Sequence, residues 1–376
     1  MDIEQLKEIE RSRRAEHLKA AKPQKLIKEK KKKEKLHIVY VMTWTEVCGG
    51  SKITLEHANR LIDRGQDITI VSHYEKPTWF NMNDKITFIQ VPYDEILGER
   101  IPLCDVIVAT YWKEIYECIE QNIAPVIYFE QGDTHLFAPE EVDKDTLEHI
   151  KKQFQTVPFT LTVSTYAKKK IKERYKKDAS VITNAIDDKI FYPKDNRISK
   201  NKEEIAVALI GSIDWEFKCI SNILAAIDIL KEEGYNIKVN WISRTEPINT
   251  KYKAIVNPEQ IVIGNTLRDS DIYICASRYE SFCLPVLEAM SCGTAVITTD
   301  NGGIRDWVVE NENALIIEKD NIEDIVLKTK RLIEDNDLRG TLEKNAAEAA
   351  KKFSWDNVID NLLEYYKDVA CYSIKK

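Results

Sequence analysis

From Leu36 onward the chain alternates short apolar runs with longer amphipathic stretches. HIVYVM (37–42), DITIVSH (67–73), ITFIQV (86–91), CDVIVAT (104–110), PVIYFEQ (125–131) and FTLTVS (159–164) lack strict polar alternation. Such runs predict strands covered on both faces. Between them, 52–64 reads as a helix with an apolar stripe of Ile53, Leu55, Ala58, Leu61 and Ile62, closed by Gly65; 165–176 reads as another. The pattern stops at NAIDDKIFYPKDNRISKNKEE (184–204), a polar stretch of mixed charge. It restarts with strands at 205–211, 237–243, 271–277, 294–299 and 314–318. Helices are expected at 218–233, 284–292, 303–309, 321–335, 337–352 and 355–368. A strand-then-helix order is the signature of an open, mostly parallel sheet. The reading is an α/β protein with two Rossmann-like domains, 36–185 and 205–352, joined by a linker at 186–204. A last segment, 353–376, forms a helix crossing back to the first domain, with Trp355, Val358, Leu362 and Tyr366 as its packing face. Such sheets bind ligands beyond the carboxyl ends of their strands, so the expected site is the cleft between two facing domains.

Composition narrows the class. No run among the 376 residues approaches the 18 or so apolar positions of a membrane helix. The start, MDIEQLKEIERSRR, carries charge where a secretory signal needs an apolar core. Eight scattered cysteines without a CxxC fit a reducing, cytoplasmic setting. The net charge of -7 hides an asymmetry: residues 1–35 hold 13 basic and 7 acidic residues, leaving 42 basic and 55 acidic in the remainder. An acidic body argues against nucleic acid as a partner. Residues 1–35 read as a basic helical extension, with Ile3, Leu6, Ile9 and Leu18 near helical spacing. Three readings stay open for it: a helix packed on the protein, a solvated extension, or a contact with an anionic membrane face through its lysines, at the inner side of the cell membrane.

The sharpest chemistry lies in Glu280-Ser-Phe-Cys-Leu-Pro-Val-Leu-Glu288. Glu280 falls in a strand-to-helix loop and Glu288 about one turn inside the helix. Two carboxylates so placed can accept hydrogen bonds from vicinal hydroxyls of a sugar or ribose. The amides of Phe282, Cys283 and Leu284 sit at the helix start, where unpaired N–H groups favour a phosphate. No cluster of His, Cys and carboxylates has metal-ligand spacing along the chain, so no metal or cofactor is expected. Asp269-x-Asp271 precedes a buried strand and reads as a helix end and strand start.

The run SRYESFCLPVLEAMSCGTAVITTDNGGIRDWV (277–308) resembles the retaining glycosyltransferases of family 4, glycosyl transferases group 1, which have the GT-B fold. Ser277, Glu280, Phe282, Leu284, Pro285, Glu288, Ala289, Met290, Gly293 and Gly302-Gly303 carry the likeness. Cys283 stands where glycine is common. The resemblance implies that Glu288 holds the nucleotide ribose and that Glu280 contacts the donor sugar. It implies that the amides at 282–284 approach the sugar or phosphates, and that Lys218, after Gly211, neutralises the donor diphosphate. Ser212 replaces an arginine usual in the family, and Arg244, after the next strand, is a candidate substitute. Gly49 and Gly50 match the family's glycine-rich first loop near the donor phosphates. Gln131 stands where many relatives have histidine, as in some transferases acting on bacterial surface polysaccharides. His135, in the same loop, either approaches the site or, the more ordinary reading of a loop histidine, is polar surface. Asn184 and Asp187 resemble a hinge stretch. The segment 244–270 is short and irregular for the family, and FSWDNVIDNLLEYY (353–366) resembles its closing helix.

The expected function is transfer of a hexosyl or deoxyhexosyl group from a nucleotide-diphosphate sugar to a hydroxyl, with retention and without a metal. The acceptor class is a glycan, a lipid-linked glycan or another hydroxyl compound, in cell-surface polysaccharide or glycoconjugate synthesis. Two alternatives stay open at the level of sequence. One is a sugar-nucleotide epimerase of similar fold; the other is a noncatalytic partner subunit, suggested by the departures at Ser212, Cys283 and Ala185.

Overall fold

The computed structural model describes residues 3–193 and 203–375. The chain divides into two compact units, Met1–Thr183 with Asp356–Lys376, and Asn184–Trp355.

The first unit runs α1 (Ile3–Lys19), β1 (Leu26–Lys28), β2 (His37–Val41), α2 (Gly49–Asp63), β3 (Asp67–Ser72), β4 (Thr87–Gln90), β5 (Val106–Ala109), α3 (Ile115–Glu120), β6 (Val126–Glu130), α4 (Thr134–Phe137), α5 (Lys144–Thr156), β7 (Phe159–Thr162), α6 (Thr165–Tyr175) and β8 (Ser180–Val181). Strands β2 to β8 form one all-parallel sheet in the order β4-β3-β2-β5-β6-β7-β8. Its central strands are buried on both faces, which is why their sequences read as unbroken apolar runs.

The second unit runs β9 (Ile205–Ile210), α7 (Ile220–Glu232), β10 (Ile237–Ser243), β11 (Ala254–Val256), α8 (Gln260–Arg268), β12 (Ile272–Cys275), α9 (Leu284–Ser291), β13 (Ala295–Thr299), β14 (Leu315–Ile317), α10 (Ile322–Glu334) and α11 (Asn336–Ala350). Its sheet is also all parallel, ordered β11-β10-β9-β12-β13-β14. The core of this unit gathers Val207, Leu209, Trp241, Ile274 and Ile297 from the strands with Ile223 and Ile227 from α7.

The chain then returns to the first unit with α12 (Trp355–Val369) and β15 (Tyr372–Ile374). The Tyr366 hydroxyl lies 3.0 Å from that of Tyr40 in β2, and Arg64 pairs with Asp356 and Asp360. β15 pairs antiparallel with β1, aligning Leu26 with Ile374.

Three sequence expectations differ from the structure. Residues 303–309 form turns, because the Gly302-Gly303 loop folds back on the Glu280 segment before any helix can start. Residues 244–270 are irregular only in part: 244–253 form bends and coil, and the edge strand β11 and helix α8 follow. The linker stretch begins as part of the second unit: Phe191 is buried, and the Ile186 N–H donates to the Phe353 carbonyl at 2.9 Å. Residues 194–202 of that linker lie outside the described residues.

The basic N-terminal stretch is helical only as far as Lys19, and its apolar stripe does not hold it. Ile3 and Ile9 are exposed, and Leu18 alone of the expected stripe is buried. The helix docks through charge: Arg13 and Arg14 both donate to Glu117, and Arg14 also pairs with Glu10. Farther along, Lys32 pairs with Glu364 and Asp368, Lys33 with Asp105 and Lys35 with Asp67. Much of the extension's positive charge therefore meets the protein's own carboxylates.

Candidate functional site

In each sheet the strand order reverses once, and a parallel sheet opens a crevice where it does. In the second unit the reversal lies between β9 and β12. The loop after β9 starts with Gly211 at φ +155, where an added Cβ would lie 3.0 Å from Ile220 Cδ1 and 3.4 Å from Lys218 Cβ. The loop thereby closes tightly around Lys218. Lys218 donates from Nζ to Glu280 Oε1 at 2.5 Å, and both side chains are largely buried. Burial alone would push the lysine pKa down, but the Glu280 carboxylate outweighs it and holds the ammonium above the usual lysine range. The site thus contains a fixed positive charge.

Glu280 comes from the loop after β12, where its N–H donates to the Asn301 carbonyl at 3.0 Å. Gly303 permits this: a Cβ there would stand 2.6 Å from the Phe282 nitrogen. Cys283 caps α9 in the left-handed conformation, at φ 67. That conformation explains why glycine suits this position, since a side chain there costs on the order of 1 kcal/mol. Proline in the first turn of α9 suits a helix start. Glu288 is buried within α9. Ser212 is buried, and its Oγ accepts the Arg244 N–H at 3.3 Å, so the loops after β9 and β10 meet there. Gly211, Ser212, Lys218, Arg244, Glu280, Phe282, Cys283, Leu284 and Glu288 therefore all belong to the second unit, on the loops following β9, β10 and β12 and on α9.

Gly49, Gly50 and Gln131 belong to the first unit, whose strand order reverses between β2 and β5. Gln131 donates from Nε2 to the Gly50 carbonyl at 3.2 Å and to Thr54 Oγ1 at 3.3 Å, tying the loop after β6 to the first turn of α2. A cavity of about 1150 Å³ opens here, lined by Trp44, Gly50, Tyr111, Lys113, Gln131 and Asp133, with Lys7 and Arg11 of α1 on its wall. His135 is not surface. It is buried, 3.2 Å from Glu130 Oε2, with Nδ1 2.7 Å from the Tyr175 hydroxyl. Glu130 in turn accepts from the Tyr128 hydroxyl and the Gly132 N–H. This network fixes the end of β6.

Sequence reasoning missed the part played by α1 in the cavity wall, because its partners lie about a hundred residues away. It also missed Tyr111, Trp112 and Lys113. Their signal was present: ATYWK follows a buried strand directly, and polar or aromatic residues beyond such a strand face the crevice.

The chain resembles a sucrose-phosphate synthase of Thermosynechococcus elongatus over 89% of its own length and 98% of the other's, with TM-score 0.75 and 15% identity. It resembles Anabaena HepE, solved in complex with UDP-glucose, over 88% and 99%, with TM-score 0.73 and 16% identity. The two parallel-sheet α/β units define the class: this is the GT-B fold of glycosyltransferases. Residues 192–349 match the family described as Glycosyl transferases group 1. An uncharacterized glycosyltransferase of Methanocaldococcus jannaschii is 28% identical over 219 residues, 56% of this chain and 59% of the relative. The chain spans less than two thirds of the length of the curated relatives it first matches.

Proposed function

We propose that this protein is a retaining glycosyltransferase of family 4 that moves a sugar from a nucleoside-diphosphate donor to a hydroxyl acceptor. The observation that carries the reading is the buried Lys218–Glu280 pair at the β9/β12 reversal, beside the N-terminal amides of α9. Breaking the anomeric bond leaves a diphosphate whose developing negative charge must be met inside the site. Lys218 and the helix start supply that compensation without reorganisation, so the reaction needs no divalent ion. Glu280 orients the donor sugar, and Glu288 accepts from the ribose hydroxyls. Gly211 and Ser212 let the backbone come close to the phosphates, with Arg244 adding charge at the rim. Gly49, Gly50 and Gln131 shape the first unit's contribution to donor binding.

No protein nucleophile is assigned; the departing phosphate removes the acceptor proton on the same face from which it leaves, which retains the configuration. The 1150 Å³ cavity of the first unit receives the acceptor. Its aromatic and charged lining suits a glycan or lipid-linked glycan, in line with a place in cell-surface polysaccharide or glycoconjugate synthesis at the cytoplasmic side. Contact with an anionic membrane falls to Lys25, Lys28, Lys30 and Lys31, which have no ion pair among the described residues.

Ligand-detected NMR against UDP-, GDP- and dTDP-sugars tests the donor site. Wild type should bind one nucleotide class selectively, and Glu288→Ala should weaken it. Lys218→Ala should cut turnover by roughly 10²–10³, the usual cost of a lost charge-stabilising donor. A folded wild type that binds none of these donors would overturn the reading.

A further inference from the structure

Along the sequence Cys275 and Cys283 show no metal-ligand spacing. The fold brings them together, because one ends β12 and the other caps α9. Their sulfurs are 3.7 Å apart, and Cys275 Sγ, Cys283 Sγ and a Glu280 carboxylate oxygen all lie within 4.8 Å of one another. Two thiolates on one tetrahedral zinc ion, each bonded at about 2.3 Å, stand about 3.8 Å apart. The sulfurs already have that separation. The carboxylate oxygen needs to move by roughly an ångström, turning from Lys218 toward the sulfurs, to complete a third ligand.

The surroundings suit the ion as well as the distances do. Ser277 Oγ lies 3.4 Å from Cys275 Sγ, and Asn301 Nδ2 donates to Cys283 Sγ at 3.5 Å. Such outer partners orient and stabilise thiolate ligands. Asn301 is fully buried, and its Oδ1 has no hydrogen-bond partner among the described residues. The charges also close. Two thiolates, one carboxylate, a divalent cation and the Lys218 ammonium sum to zero, so the lysine neutralises the occupied site. Both sulfurs are buried, and access runs along the partly exposed Glu280 and Lys218 side chains.

We propose that Cys275, Cys283 and Glu280 form a binding site for a soft divalent cation of the zinc class, and that filling it closes the donor site. Two thiolates select soft ions over magnesium or calcium. Binding converts two thiols to metal thiolates and releases their two protons to solvent. Once the ion takes the Glu280 carboxylate, neither Glu280 nor Lys218 is placed for a donor. This last step rests on the function proposed above; the metal site itself does not.

Cadmium titration of the full reduced chain tests the site, because each Cd–thiolate bond absorbs in the ultraviolet. Wild type should show a band saturating at one ion per chain and released by chelator. Cys275→Ser and Cys283→Ser, each checked for folding by circular dichroism, should weaken it by roughly a hundredfold or more. In parallel, zinc should protect these two cysteines of the wild type from alkylation, read by mass spectrometry, so the test survives a variant that does not fold. A full-strength band in either folded variant, or unprotected cysteines, overturns the proposal. Donor binding by metal-free wild type, read by NMR and abolished by one equivalent of zinc, supports the coupling. Undiminished donor binding with the site filled overturns the coupling. A filled site on a chain that binds no donor even without metal sinks the transferase reading and leaves the metal site standing.

Discussion

Glu114 shows how one residue can work against the fold that holds it. It is fully buried, and neither carboxylate oxygen has a hydrogen-bond partner among the described residues. Burial raises its pKa to about 8, with the Arg14 guanidinium pulling the other way and Glu117 and Glu10 adding to the rise. The unfolded chain gives up this proton near the ordinary carboxyl range, whereas the folded chain keeps it up to about pH 8. Between those limits the folded state binds more protons, so stability falls as pH rises, by up to about 1.4 kcal/mol per unit. Wild type should therefore have a lower urea midpoint at pH 8 than at pH 5. Glu114→Gln keeps the shape without the titration, so its midpoint should change less between these pH values and exceed that of wild type at pH 8. None of this is legible in the sequence, where Glu114 is one acidic residue among many. The placement of Glu280 and Glu288 was legible because both lie in one short segment, a loop and the helical turn that follows it. Cys275 and Cys283 were visible too, but only the left-handed cap at 283 shows that their sulfurs meet.

At the scale of elements, the strands were the most legible part, because burial on both faces writes itself as apolar runs such as IAVALI in β9. The edge strand β11 escaped for the opposite reason: it is short and two of its three residues are exposed. α1 was legible as a helix, but the sequence left open whether it packs on the protein, and the structure shows that it does. Its mooring is a set of long-range ion pairs that no periodicity can show. Arg14 is central to it, bonded to Glu117 through Nε and Nη2 and paired with Glu10. Removing one partner of such a buried cluster leaves carboxylates unpaired and costs about 3–5 kcal/mol. Arg14→Ala should loosen α1 and open one wall of the cavity. Hydrogen exchange should show faster exchange across 3–19 while α7 and β9 of the second unit keep their protection.

At the scale of the molecule, two sheets of the same logic each reverse strand order once, and the candidate chemistry follows those reversals. The first unit depends on distant chain for its completion: Tyr366, Asp356 and Asp360 in α12 and the strand β15 all serve it. A chain ending at residue 355 should leave the second unit folded and the first destabilised. Limited proteolysis should then cut first within 36–183 and spare 205–350; equal resistance of both regions would contradict this dependence.

The β1–β15 ribbon sets a clock for synthesis. A ribosome delivers the strands of the first sheet before the second unit, yet their covering helix and the partner of β1 are made only after it. The second unit, contiguous from Asn184 to Trp355, has all its parts before the first one does. The nascent first sheet must wait, with Tyr40 and its neighbours uncovered, through the translation of an entire second unit. Of these two units, the one begun before the other is thus the one completed after it.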